Sequence, residues 1–360
     1  MLQNREVFRS FILLGLAFSG YSLDENDDCI NPAGQSGRCI NFRNCKSVME
    51  IYSKAVVSPD ESQFIEESRC GLSTEKGTLV CCVDSSIKST LPKPPDCGAD
   101  MSNRIFGGQK TALDEFPWTA LINYRFANGS TAFHCGASLI NSRYVVTAAH
   151  CVEDHTSALK VVGVRLGEWD LDQQIDCDED DEDTCANAPQ DMDIEKIVVH
   201  EDYDPADTSS HNDIALIRFT EDVQMSAFVS PVCLPMDGAL RTLNIVGSRG
   251  YAAGWGRTET NKRSSIKLKV QLEVTDPRTC ANVYRPTGIT LRDTQICAGG
   301  VRGQDTCSGD SGGPLSKLNQ ASYYLYGIVS FGSSKCGVKG MPGIYTAVSK
   351  YIEWIERNLE

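Results

Sequence analysis

Only five histidines stand against sixteen cysteines, and no pair of Cys-x-x-Cys motifs occurs at finger spacing. Both absences argue against zinc as the use of the cysteines. A basic footprint is missing too: 34 Lys and Arg face 48 Asp and Glu, for a net charge of −14. Nucleic acid is therefore not an expected partner. The apolar run at 11–18 is far too short to cross a bilayer, and no other stretch is long enough. Internal repeats and coiled-coil heptads are absent. What remains is 41% apolar and 23% charged over 360 residues, an ordinary globular composition that predicts two folded units.

Sixteen cysteines suit an oxidising compartment and full pairing. The N-terminus agrees with export. Arg5 and Arg9 precede the apolar run, and the small residues Ala17, Ser19, Gly20 and Ser22 follow. This pattern predicts a signal peptide over 1–22, cut between Ser19 and Ser22, and a secreted, extracellular product. Six cysteines then crowd into residues 29–82: Cys29, Cys39, Cys45, Cys70, Cys81 and Cys82. Six allow fifteen pairings, which sequence alone does not resolve. So short a segment cannot build a large core, and disulfides are expected to replace it. Residues 84–96 are rich in Ser, Lys and Pro and read as an exposed, semi-rigid linker.

The remainder reads as short β-strands between turns, at 118–124, 144–148, 161–166, 214–219, 268–274 and 324–329. That spacing predicts an all-β barrel or sandwich. Val348, Tyr351, Ile352, Ile355 and Leu359 follow helical spacing, which predicts a C-terminal helix.

Acyl transfer by a serine needs an exposed hydroxyl, a base to take its proton and a buried carboxylate to orient the base. Ser311 lies in Gly-Asp-Ser-Gly-Gly-Pro (309–314). Its glycines permit a sharp turn and free the amides of Gly309 and Ser311 to form an oxyanion hole. The plain alternative is a Gly-rich turn with an ordinary serine. His150 lies in Thr-Ala-Ala-His-Cys (147–151), after an apolar strand and beside Cys151, which can pin it. The competing histidines His134, His155, His200 and His211 lack that setting. Asp213 leads into the apolar run 214–219, where a carboxylate becomes partly buried; otherwise it is a turn residue. Gly309 to Gly313 also fits the G-x-S-x-G elbow of α/β-hydrolases, whose triads run Ser, acid, His. No histidine follows Ser311 here. The order His150, Asp213, Ser311 is the chymotrypsin order.

With Arg-Ile-Phe-Gly-Gly (104–108) and Asp-Ile-Ala-Leu (213–216), these motifs resemble the chymotrypsin family from Ile105 to Glu360. The six-cysteine segment, with adjacent Cys81 and Cys82, is similar to an arthropod clip domain. The whole chain resembles an insect clip-domain serine protease of the Easter or prophenoloxidase-activating type. The resemblance implies two six-stranded antiparallel β-barrels with a C-terminal helix, preceded by the disulfide-rich clip domain. The expected division is a signal peptide at 1–22, a clip domain at 29–82, a linker with activation segment at 83–104 and a trypsin-like domain at 105–360.

The resemblance also implies roles. Cleavage after Arg104 frees the Ile105 amine to pair with Asp310. Asp305 becomes the floor of a pocket for Arg or Lys, with Gly332 and Gly343 as open walls and Phe331 where the family usually has Trp. The implied disulfides are Cys29–Cys81, Cys39–Cys70, Cys45–Cys82, Cys97–Cys233, Cys135–Cys151, Cys280–Cys297 and Cys307–Cys336, leaving Cys177 to pair with Cys185. The acidic run at 176–183 normally means a solvated loop. Confinement by that last pair makes calcium plausible, and family spacing points to Glu168, Asp170, Gln173 and Asp176, with backbone carbonyls from the middle two. Asn128-Gly-Ser130 is a glycosylation sequon. Expected partners are an upstream activating protease, a downstream zymogen, cytokine precursor or prophenoloxidase, and serpin inhibitors. The expected activity is an endopeptidase acting after Arg or Lys in an extracellular cascade of immunity (Toll pathway or melanization) or development. A non-catalytic clip cofactor or scaffold is the alternative, and a third reading makes the clip segment the functional binding module.

Overall fold

The computed structural model describes residues 23, 27–54, 57–73, 77–83, 91–99, 109–153, 159–178, 184–257, 263–302, 306–307, 309–333 and 337–359. The chain divides into two compact units, Met1–Lys88 and Ser89–Glu360.

In the first unit β1 (Asp28–Ile30), β2 (Ser36–Asn41), β3 (Arg69–Ser73) and β4 (Gly77–Cys82) form an antiparallel sheet in the order β1-β2-β4-β3. Helices Lys46–Tyr52 and Pro59–Glu67 connect β2 to β3. The second starts from a capping box: Ser58 Oγ accepts from Glu61 N, and Glu61 reaches back to Ser58 N. The core is small, built on Cys45, Val48, Val80 and Cys82. Three disulfides, Cys29–Cys81, Cys39–Cys70 and Cys45–Cys82, supplement it.

The second unit holds two antiparallel sheets. The short strand β5 (Gln109–Lys110) precedes the first. That sheet uses β6 (Thr119–Phe126), β7 (Thr131–Leu139), β8 (Tyr144–Thr147), β9 (Leu159–Leu166), β10 (Gln190–Met192), β11 (Ile194–Val199) and β12 (Ala215–Phe219), in the order β10-β9-β6-β7-β8-β12-β11. Its two ends are halves of one stretch, parted at Asp193: β10 pairs with β9 and β11 with β12. Counted as one bent strand, they leave six strands that close on themselves.

The second sheet uses β13 (Arg249–Gly254), β14 (Leu268–Glu273), β15 (Gln295–Gly299), β16 (Pro314–Asn319), β17 (Ser322–Phe331) and β18 (Pro342–Ala347), in the order β15-β18-β17-β16-β13-β14-β5. A Val274–Ala298 bridge joins the β14 end to β15, again closing six strands, with the two-residue β5 as an addition. Closure removes free sheet edges.

The C-terminal helix is shorter than the apolar spacing predicts. A 3-10 turn, Val348–Lys350, precedes a helix over Ile352–Arg357. Val348, Tyr351, Ile352 and Ile355 are buried, and so is Trp354, which the spacing omits. Trp354 stacks on His200 at 5.1 Å and donates its indole N–H to Glu201 at 2.8 Å. The main core gathers Trp118, Leu139, Ile140, Val145, Val146 and Leu216 with many neighbours. The remaining disulfides are Cys97–Cys233, Cys135–Cys151, Cys177–Cys185 and Cys280–Cys297. Cys307 is also disulfide-bonded; its expected partner Cys336 lies outside the described residues.

Candidate active site

The buried strand β8 delivers its following 3-10 turn, Ala149–Cys151, to the site with His150 in the middle. The Cys135–Cys151 bond ties that turn to β7. Asp213 stands two residues before β12, which pairs with β8, so sheet register brings the carboxylate to the histidine. Asp213 is fully buried. Its Oδ1 accepts from His150 N at 3.0 Å, and its Oδ2 lies 2.8 Å from His150 Nδ1. Ser330 Oγ in β17 donates to the same Oδ2 at 2.5 Å.

Burial opposes charge on both groups, and their mutual attraction overcomes it. Desolvation pushes the Asp213 carboxyl up, but His150 and the donors outweigh it and hold it below the usual carboxylate range. Desolvation likewise pulls the His150 ring down, while the Asp213 charge and hydrogen bond leave it raised above an ordinary histidine. The imidazole side chain stays one-third exposed (33%), open to a reactant.

Ser311 sits in the turn before β16. Its carbonyl accepts from Gly136 N at 2.7 Å, while Gly312 N donates to Val329 O at 2.8 Å. The turn is therefore pinned between β7 and β17. Gly312 has φ +77°, and a Cβ there would meet Thr147 Oγ1 at 2.2 Å and Gly136 O at 2.4 Å. Glycine is required on both counts. Gly309 also has positive φ, +106°. No hydrogen bond joins Ser311 Oγ to His150 among the described residues; His150 Nε2 lies 3.6 Å from Cys151 Sγ. Such a limb is commonly loose without substrate.

Asp310 points its carboxyl group inward. Oδ1 accepts from Gly256 N at 2.8 Å and Oδ2 from Cys307 N at 2.9 Å. Burial pushes this carboxyl up despite those bonds and the attraction of Arg263. A Cβ on Gly254 or Gly256 would strike it at 2.6 or 2.2 Å. Arg104, Ile105 and Asp305 lie outside the described residues, as does His155. Gly332 follows β17 and faces Gly343 of β18, where an added Cβ would stand 3.6 Å from the Gly343 Cα. Phe331 packs edge-on to Tyr284, 6.3 Å between ring centroids.

Of the four residues expected to hold calcium, Glu168 and Asp176 are buried, Asp170 is half-buried and Gln173 exposed. Trp169 N donates to Glu168 Oε1 at 3.0 Å and to Asp176 Oδ2 at 2.9 Å, so the two carboxylates meet at one amide. Burial raises both, and the Asp176 charge raises Glu168 further. This oxygen set suits a hard cation. Arg165 competes for it, bonding Glu168 Oε2 at 3.1 Å. So does buried Lys267, whose amine burial lowers to about 8 despite nearby Glu115, Asp114, Asp176 and Glu168. The Asp170 carbonyl is engaged by Gln173 N at 2.9 Å. Cys135, His150 and Cys151 also cluster with metal-ligand closeness, but both sulfurs are bound in a disulfide and are not thiolate ligands. Asn128 is exposed in the β6–β7 turn, its Oδ1 accepting from Ser130 N and Oγ at 3.0 and 2.7 Å. His211 is held between Asp207 and the Thr290 carbonyl, at 2.6 and 2.8 Å.

Two closed six-stranded barrels, with a buried aspartate bonded to a partly exposed histidine beside a serine in a Gly-rich turn, define a class: the serine proteases of the trypsin-like fold. Residues 105–355 match the family Trypsin, and residues 29–82 match the Regulatory CLIP domain of proteinases. The chain belongs to the trypsin family and carries a CLIP domain. It is 50% identical to "CLIP domain-containing serine protease B4" of Anopheles gambiae over 100% of both chains. It is 41% identical to "Serine protease ea" of Drosophila melanogaster, over 92% of this chain and 91% of that one. The structure resembles that of the Drosophila Grass clip serine protease of the Toll pathway, with TM-score 0.69 and 30% identity over 92% of this chain and 97% of that one. No helix among the described residues is long and apolar enough to cross a membrane.

Sequence reasoning missed Ser330 as a partner of Asp213. The sequence marks Phe331 and Gly332 beside it as pocket-wall residues, and only sheet packing brings the Ser330 hydroxyl to Asp213.

Proposed function

We propose that this chain is the secreted precursor of an active serine endopeptidase that cuts after Arg or Lys. The observation that carries this reading is the buried Asp213 carboxylate doubly bonded to His150, whose imidazole stays partly exposed. In the reaction, Ser311 Oγ attacks the scissile carbonyl and gives its proton to His150 Nε2. The C–N bond then breaks as the imidazolium returns that proton to the departing amine, leaving an acyl-serine. Water, deprotonated by the same imidazole, hydrolyses the ester and restores Ser311. Asp213 fixes the tautomer and stabilises the imidazolium. Backbone N–H groups of Gly309 and Ser311 receive the oxyanion.

Asp310 supports activation by cleavage. Its carboxylate is pushed up by burial and meets only backbone donors within hydrogen-bond reach among the described residues. The Ile105 amine, freed by cutting after Arg104, would supply the missing cation; an uncompensated buried charge costs roughly 3–5 kcal/mol. Asp305, with Gly332 and Gly343, gives the preference for basic residues. Calcium bound by Glu168 and Asp176 would supply charge compensation for this pair and order to their loop.

Relatives named "Melanization protease 1" and "Phenoloxidase-activating factor 1", at 37% and 40% identity, support a place in an extracellular cascade of melanization or Toll signalling. An upstream protease would activate the chain, a zymogen, cytokine precursor or prophenoloxidase would be its substrate, and serpins would inhibit it. The test is cleavage of an arginyl chromogenic substrate before and after the cut at Arg104. Activity is expected only after the cut, and neither Arg104→Gln nor Ser311→Ala should acquire it. An activated chain inert on every arginyl and lysyl substrate would instead favour the non-catalytic cofactor, the role open to a site in which Ser311 and His150 stay unbonded.

A further inference from the structure

Arg263, just before β14, reaches across to β7. Its Nη1 donates to the Phe133 carbonyl, and its Nη2 lies 3.1 Å from His134 Nδ1. Both acceptors are neutral: burial and the Arg263 charge itself hold His134 below the usual histidine range. No carboxylate lies within 4 Å of the guanidinium among the described residues. Asp310 attracts it from a distance, but Gly256 N and Cys307 N occupy that carboxylate. Arg257, bridged to Arg263 across the same loop, adds like charge. The guanidinium also stands at the oxyanion turn, where a Cβ on Gly309 would sit 3.5 Å from Nε. Arg263 is thus an exposed cation beside the Gly309 turn, docked on neutral groups and lacking a bonded anion of its own among the described residues.

The side it faces follows from how Ser311 is held. The Ser311 turn bonds to β17 through Val329 and to β7 through Gly136. Gly332 and Gly343, walls of the proposed basic-residue pocket, lie at β17 and β18. The residue before the scissile bond therefore enters on the β17 side, and the chain after the bond leaves over β7, where Arg263 and His134 sit. Resting on the protease reading above, we propose that Arg263 is a specificity residue for the leaving side, selecting substrates with Asp or Glu among the first two residues after the scissile bond. Complementary charge favours such a carboxylate, and Lys at the same place meets repulsion.

The test uses the full chain activated at Arg104 and arginyl peptides that differ only in those two residues, carrying Glu, Gln or Lys. Values of kcat/KM per titrated active site are compared at low and high salt. The activated chain should cleave the Glu peptide over the Lys peptide by about five- to tenfold at low salt, and less at high salt. Arg263→Glu should invert the ranking and Arg263→Lys should retain part of it. A purely structural role would scale all peptides together and leave the ratio unchanged. An unchanged ratio in Arg263→Glu, or no discrimination by the wild type, overturns the proposal while the protease reading stands. Failure to cut any of the peptides overturns both.

Discussion

The two units of this chain reach stability by different routes. Among the described residues the clip unit's core is small, clustered on Cys45, Val48, Val80 and Cys82, and is joined by three disulfides. The protease unit has a core built on Trp118, Phe116, Tyr144 and a continuous set of aliphatics, and its disulfides fasten loops at the margins of closed barrels. In the first, covalent links stand in for burial; in the second, burial carries the fold and the links position function. Cys135–Cys151 shows the latter, anchoring the turn that presents His150.

The largest expected effect lies in the protease unit. Asp213→Asn should lower kcat by about 10⁴-fold through the wrong His150 tautomer, as in related triads. Burst kinetics with an ester substrate would check it. In the clip unit, replacing Cys39 and Cys70 together by Ala should cost about 2–5 kcal/mol of that unit's stability, while cleavage of small substrates persists. A matching loss of active-site titre would break the contrast between the units.

The pH profile gives a smaller effect. His150 must be neutral to accept the Ser311 proton, and its pKa is raised. Activity should therefore be full above that pKa and fall as pH drops through it, with the midpoint of kcat/KM above the ordinary histidine value. A midpoint below that value would contradict the Asp213 pairing. Calcium should raise the melting temperature of the protease unit by a few degrees, about 1 kcal/mol for a domain of this size, and Glu168→Gln should abolish the rise. An unchanged melting curve with calcium and with chelator would leave Arg165 and Lys267 as the charge balance there. Smallest of all, Ser58→Ala should cost the clip unit about 1 kcal/mol by removing an N-cap, read by chemical denaturation.

Much of the site is legible because it depends on short-range sequence. Gly309 and Gly312 need positive φ, Cys151 must adjoin His150, and Asp213 must lead a buried strand. Each demand leaves a mark within a few residues. Ser330 and Arg263 are different. Ser330 lies 117 positions from Asp213, and Arg263 lies 130 from Phe133. Nothing near either residue indicates its contact. The strand break at Asp193 is equally silent, because barrel closure needs one stretch to pair with two distant partners. Apolar spacing is continuous from Val348 to Leu359 and does not mark the turn at Tyr351 between two short helices.

Chain order and local motifs alone determine the nucleophile, base and acid as candidates and exclude the rival hydrolase order, since both are one-dimensional properties. Tertiary structure decides that Asp213 keeps its charge while buried, that Ser330 shares it, and that Arg263 stands beside the Gly309 turn. Those outcomes depend on desolvation and on distances between strands far apart in sequence, which arise only when the barrels close.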